Sequence, residues 1–226
     1  MKLLALVAVA LLLTQEKNEA EAQFKKMEEK ILQAKTIQGK YASSMNRGLL
    51  KMEGEFIADA ENRFRIESEA TARNVKLKEK GLTISDGKQV ATTGQDPGSW
   101  LRFATPETYG KSIRIGLARH GMLDAAMQLG SEIGSKADPE KDFTASNFRM
   151  GKEEKINGRA TQQILYRMGR GSWQDDSAMV WIDKESMLPV KRSYKMEQGA
   201  IEENYSDFKL DEKIDPTKFE PPKDPK

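Results

Sequence analysis

The sequence predicts an α+β fold: a strongly curved antiparallel sheet of about ten strands, forming a half-open barrel, with an N-terminal helix and a mid-chain helical insert covering its concave face. Three observations carry this expectation. Short segments rich in Val, Ile, Trp and Tyr, separated by turn residues at Asp183–Ser186 and Glu197–Gly199, end the chain as a meander. Within it Val180, Ile182, Leu188 and Val190 share one strand parity while Trp181, Asp183, Pro189 and Lys191 share the other, so one face is apolar and the other wet. Helical spacing occurs in only two places, ahead of the first strand and in mid-chain, and a sheet this wide must curl or split.

Taken in order, Met1-Lys2 leads into the apolar run Leu3–Leu13, which has the length of a signal-peptide core and is too short to span a bilayer as a helix. Residues 1–19 therefore read as an export leader. Its cleavage point stays open between the polar run Thr14–Glu19 and the small-x-small step Ala20-Glu-Ala22. Residues 20–226 then form a single domain, long enough to bury a core. From Glu16 to Ala34 the apolar positions Phe24, Met27, Ile31 and Ala34 fall at helical intervals among Glu, Lys and Gln, which predicts an amphipathic helix.

At Thr36 the period switches to alternation. Strands are expected over Ile37–Met45, Leu49–Ala58, Arg63–Arg73, Val75–Ile84, Lys88–Thr93 and Trp100–Phe103, with turns at Asn46–Gly48, Asp59–Asn62 and Ser85–Gly87. Alternation stops at Thr105-Pro106. Over the insert 106–134 the residues Tyr109, Ile113, Leu117, Met122, Met127, Leu129 and Ile133 recur at helical intervals, which places two helices there, interrupted near His120-Gly121. Asp138-Pro139 reads as a loop, and Asn157-Gly158 as a hairpin turn between strands Phe143–Lys155 and Arg159–Met168. Gly169–Gly171 reads as an exposed tip and Asp215–Lys226, with four prolines, as an extended tail.

Composition excludes several classes of function. There is no cysteine, hence no disulfide, thiolate chemistry or Cys-based zinc site. The 37 Lys+Arg against 35 Asp+Glu are interspersed, so no nucleic-acid groove is implied. His120 is the only histidine and has no partner at metal-ligand spacing, which predicts a surface or cap role. Asp175-Asp176 reads as a hairpin tip, since adjacent strand residues point to opposite faces. No nucleophile, base and orienter come together, so no enzyme, metal or cofactor is expected. Met27, Met122 and Met127 suit either ordinary core filling or an adaptable lining.

The chain resembles the periplasmic lipoprotein carrier LolA and its relatives, LolB and the LolA-like half of the envelope regulator RseB. The likeness rests on the leader and helix running into the first strand at Ile37–Tyr41, the strand start Asn62-Arg-Phe-Arg-Ile66, the hairpin Leu82-Thr-Ile-Ser-Asp-Gly-Lys88, and the ending Tyr205–Pro222. The resemblance implies a curved sheet with helical lids and acyl chains held between them. It implies a periplasmic or otherwise exported, non-catalytic, monomeric binder of lipoprotein acyl chains or lipid, with inner-membrane donor and outer-membrane acceptor proteins as partners. An RseB-like sensor acting through a partner protein is the open alternative. The expected lining is Phe24, Met27, Ile31, Phe56, Phe64, Ile66, Ile84, Ile113, Leu117, Met122 and Met127. Two departures stand out. The carriers' lid-gating arginine aligns with Ala60, leaving Arg63 or Arg65 as substitutes, and Lys88–Thr93 lacks the aromatic cluster common in the carriers.

Overall fold

A computed structural model of the chain describes residues 19–73, 77–93, 99–131, 138–170, 173–196 and 199–222. The expected leader falls, apart from residue 19, outside them. Helix α1 spans 19–33 and leads into β1 (Thr36–Met45), β2 (Leu50–Asp59), β3 (Arg63–Ala72), β4 (Leu77–Asp86), β5 (Gln89–Thr93) and β6 (Trp100–Ala104). The insert follows as α2 (Tyr109–Arg119), α3 (Met122–Ser131) and α4 (Pro139–Asp142). The second half comprises β7 (Thr144–Ile156), β8 (Arg159–Arg170), β9 (Trp173–Asp183), β10 (Pro189–Met196) and β11 (Gly199–Leu210). All eleven strands form one open, curved antiparallel sheet in the order β6-β5-β4-β3-β2-β1-β11-β10-β9-β8-β7.

Each half is thus a meander of hairpins, and the two are joined at the middle by the pairing of β1 with β11, from Ile37↔Leu210 to Met45↔Ile201. The two free edges differ. On β7 the ladder is broken by register shifts between Ser146/Arg149 and Met150/Glu153, with Asn147 at φ 56°, whereas β5 and β6 pair over five residues without a slip. Bulges of this kind twist an edge out of register with any incoming strand.

Residues opposite one another across a ladder share a face, which fixes the sides of the sheet. The row Ile37, Ala58, Phe64, Ser85, Val90 and Phe103 faces the helices, and the adjacent row Ile57, Arg65, Ile84, Ala91 and Arg102 faces outward. The core lies between the first face and the helices: Phe24, Met27 and Ile31 of α1, Tyr109, Ile113 and Leu117 of α2, and Met122 of α3 pack with Phe56, Phe64, Ile66, Ile164, Val180 and Tyr194 of the sheet. At about 1.5–3 kcal/mol for each large apolar side chain removed from water, this layer is what holds the helices down.

After β11 the chain doubles back. Asp211 N–H donates to the Thr36 carbonyl at 3.0 Å, and the Lys35 N–H donates to Asp211 Oδ1 at 2.7 Å. A 3-10 turn, Pro216–Phe219, then packs on β3 and β4 from outside, with Phe219 buried under the Arg63 guanidinium, 5.2 Å from its ring centre. The extended tail is therefore a strap, tied at its end by Arg102 donating to the Pro222 carbonyl.

Three expectations are corrected, and the one for His120 holds for the cap and not for the surface. Asp138-Pro139 opens a short helix, because proline at its first position presets φ and has no N–H to leave unpaired. Asp175 and Asp176 lie within β9, where Asp176 pairs with Met168. His120 does occupy a cap position, ending α2, but it has no exposed surface. Ile84 points away from the helices, since it stands opposite Arg65 and Ala91 and not opposite Phe64.

Candidate functional site

The concave face and its helical cover are the region that the predicted lining residues mark out. Phe24, Met27, Ile31, Phe56, Phe64, Ile66, Ile113, Leu117 and Met122 all belong to one buried cluster and expose at most 5% of their surface. Ile84 does not join them. Met127 lies in α3, and its side chain is outside the described residues. Aromatic contacts knit the layer: Phe24 meets Phe148 and Tyr166 at 4.7 and 4.9 Å between ring centres, and Phe64 meets Tyr109 at 6.1 Å.

What fastens the helices is polar, and it acts on their ends. A helix leaves unpaired N–H groups at its start and unpaired carbonyls at its finish, so buried ends need partners. Asn62, in the β2–β3 turn at φ 62°, accepts from Gly110 N–H at 2.5 Å and donates to the Pro106 carbonyl at 3.0 Å, securing the start of α2. At the finish of α2, Arg192 of β10 donates to the carbonyls of Leu117 and Arg119, each at 3.1 Å, and to that of Ala118. Glu203 of β11 accepts from Met122 N–H at 2.6 Å and Leu123 N–H at 2.9 Å, securing the start of α3.

Arg192 and Glu203 face each other across the β10–β11 ladder, and both are fully buried. Each charge sits on the helix end of opposite dipole sign, the guanidinium against carbonyls and the carboxylate against amides. Gly121 lies between them with φ 116°, and a Cβ there would come within 3.0 Å of Glu203 Oε1 and 3.2 Å of the Arg192 side chain. The helix break is therefore built around a residue without a side chain.

Two tyrosines complete the cluster. Tyr166 donates to the Arg119 carbonyl at 2.7 Å and accepts from Arg192 at 2.7 Å, and Tyr205 donates to Glu203. Burial raises the Tyr205 hydroxyl well above its usual value, and the Glu203 carboxylate pushes it the same way. Burial also raises Tyr166, against the pull of Arg192. For Arg192 burial acts downward, and Tyr166, Tyr205 and Glu203 outweigh it and hold the guanidinium above its ordinary value.

Arg114 of α2 does for α1 what Arg192 does for α2, donating to the carbonyls of Ile31, Ala34 and Lys35 at 3.2, 2.5 and 3.3 Å. Burial lowers its affinity for the proton, and Asp59 and Asp211 partly offset that. Arg119 links α1 to α4 through Glu28 and Glu140. Arg63 and Arg65, the expected stand-ins for a gating arginine, are instead on the outer face, paired with Asp59 and Glu67. Sequence reading passed over Arg192 and Glu203, although each sits in the apolar phase of its strand, after Leu188 and Val190 and after Ile201 respectively. A charge in that phase signals a buried polar contact.

Clefts open against the sheet among the described residues. One, of about 320 Å³, lies beside the strap and is lined by Glu55, Phe56, Ile57, Arg65, Glu67, Thr217 and Lys218. The other, of about 480 Å³, runs between β1, β2 and β11 and the β7–β8 turn at Asn157, and is lined in part by Tyr41 and by Tyr205 of the cluster. Among the described residues no group of three or more His, Cys, Asp or Glu side chains is placed to hold a metal ion, and no helix is long and apolar enough to cross a membrane.

No protein-family model and no curated protein sequence matches the chain. Among solved structures it is similar to LprF from Mycobacterium bovis, at 13% identity and a TM-score of 0.51, over 92% of this chain and 97% of that one. It is also similar to the lipoprotein LppX from Mycobacterium tuberculosis, at 14% identity and a TM-score of 0.49, over 86% and 96%. The corresponding values for MucB are 12%, 0.48, 92% and 64%, so the chain spans less than two thirds of MucB. At these identities the likeness is one of fold alone.

Proposed function

We propose that this is an exported, non-enzymatic carrier that shelters acyl chains of lipids or lipoproteins between the concave face of its sheet and helices α1–α3. The observation that supports it is the division of labour in the cover. The helices contribute a continuous apolar layer, while polar attachments of α2 and α3 to the sheet gather at helix ends, at Asn62, Tyr166, Arg192, Glu203 and the His120–Thr144 contact. A cover attached at its ends can lift without breaking strand pairing. The lining consists of Phe24, Met27, Ile31, Phe56, Phe64, Ile66, Ile113, Leu117 and Met122.

In the present conformation these side chains fill the layer, so an acyl chain enters by displacing helix surface. For each acyl chain that displaces helix surface the magnitudes make that exchange close to balanced. Tyr109, Ile113, Leu117, Met122 and Leu123 together hold α2 and α3 to the sheet by about 10 kcal/mol at about 2 kcal/mol each. A saturated chain of about sixteen carbons gains about 12 kcal/mol gross at about 0.8 kcal/mol per methylene. Near-balance is what a carrier needs, because a ligand that far outweighs its lid is never released.

The test is titration of delipidated protein with a fluorescent diacyl lipid and with a triacylated lipopeptide. Saturable, near-stoichiometric binding is expected, and Ile66→Glu, which sets a charge on the concave face, should weaken it at least tenfold while the circular dichroism spectrum is unchanged. Absence of saturable binding to either probe sinks the reading. Capture of a protein partner by lipid-free material would move it to the sensor class.

A further inference from the structure

The joint between α2 and α3 holds one imidazole whose surroundings dictate its charge. His120 Nδ1 lies 2.8 Å from Asp124 Oδ2, and Nε2 lies 3.0 Å from the backbone carbonyl of Thr144. A carbonyl only accepts hydrogen bonds, and so does an ionised carboxylate. A neutral imidazole has one N–H, so it would leave one of the two contacts as acceptor against acceptor in a site with no exposed surface, since His120 and Asp124 are both fully buried. Only an extra proton on the pair satisfies both contacts.

Charge balance among the buried groups named here favours the same extra proton. Arg192 and Glu203 sit at the same helix break, both fully buried, and Tyr166 and Tyr205 stay uncharged because burial raises them. Asp124, in the first turn of α3, lies at the positive end of that helix, which favours its ionised form. With a neutral His120 the sum over Arg192, Glu203, Asp124 and His120 is one net negative charge sealed from water. With an imidazolium it is zero. Other described groups at the joint are Arg119 of α2, engaged by Glu28 and Glu140, the Thr144 carbonyl of β7, and Phe143, whose ring stands edge-on to the imidazole at 5.1 Å.

We infer that His120 is an imidazolium at neutral pH, and that the buried His120–Asp124 ion pair is a proton-dependent lock fastening the α2–α3 joint to β7. In the unfolded chain the imidazole loses its proton near about pH 6.5. The folded chain binds that proton more tightly, so the lock contributes in full below that point and fades as pH rises through the folded pair's own midpoint. At still lower pH protonation of Asp124 removes it again. If the carrier reading holds, on which this last step alone rests, loss of the proton frees the lid and speeds release of the acyl chain.

His120 is the only histidine in the chain, so one imidazole signal reports the state directly. Nitrogen-15 spectra of histidine-labelled protein should show both ring nitrogens protonated at pH 7.5, and titration should place the loss well above pH 6.5. A neutral tautomer at pH 7 overturns the inference. Asp124→Asn should move the imidazole's loss of its proton to a lower pH than in the native protein, because burial without a counter-charge disfavours the cation, and a curve overlaying that of the native protein also overturns the inference. With fluorescent diacyl lipid bound, the off-rate should rise several-fold between pH 6.5 and pH 9 in the native protein and stay flat in Asp124→Asn. An equal rise in both sinks the lock as a lid control, whereas no lipid binding at any pH, with the imidazolium present, sinks the carrier reading and leaves the proton assignment standing.

Discussion

Arg192 has no exposed surface, and its two terminal nitrogens donate to three carbonyls at the end of α2 and to Tyr166. Replacing it by methionine keeps the apolar stem and strands the Glu203 carboxylate without its cross-strand counter-charge, which should destabilise the fold by about 3–5 kcal/mol. Arg192→Met with Glu203→Met should recover a large part of that loss, since two matched apolar side chains leave no buried charge uncompensated. Urea unfolding of the four proteins of this cycle measures both effects, and equal stability of the single and double variants would refute the account. The pair was legible only as an anomaly: two charges in the apolar phase of neighbouring strands, whose partners at 117–123 are more than seventy residues away. The ionic partner of His120 went unread for a related reason. The i, i+4 spacing to Asp124 was there to be read, but the burial that turns the contact into an ion pair comes from Phe143 and Thr144, a loop and a helix further along.

Among the elements, strands and turns were the most legible, because alternation and Asn/Gly punctuation are local. The turns at Asn46–Gly48 and Asn157-Gly158 fall where expected, each with asparagine at positive φ. The face of β4 was not legible: Val75–Ile84 was read without knowing which parity would face Phe64, and only the ladder partners decide that. The C-terminal segment had the prolines of a loose tail, while its one aromatic, Phe219, carries the packing. Phe219→Ala should cost about 3 kcal/mol, toward the lower end for a buried phenylalanine because Arg63 can settle into part of the gap. Hydrogen exchange should rise in β3–β5 and stay unchanged at the α2–α3 joint. Equal loss of protection at both places would mean that the strap is part of the lid.

Across the whole molecule, one pairing joins two meanders whose other contacts are sequential. Every neighbour in the sheet is also a neighbour in sequence except β1 and β11, about 165 residues apart by their pairing register (Tyr41↔Tyr205 gives 205 − 41 = 164). Long-range closure of this kind slows folding, so refolding from urea should take from roughly milliseconds to seconds, with the slow phase reporting the seam. A fluorophore pair on β1 and β11 should join in that slow phase; a fast, early approach of the two would contradict it. The half-barrel was readable from strand count and helix placement, whereas the closure of the concave face was not, since it depends on how far the helices settle into it.

The central seam also sets a timetable for the newborn polypeptide. While synthesis is under way β1 has β2 on one flank and bare amides and carbonyls on the other, and nothing can occupy that flank until Leu210 has cleared the ribosome. Assembly of this sheet thus waits on β11, and a nascent chain stalled before that point keeps an adhesive border that its own sequence has not yet covered.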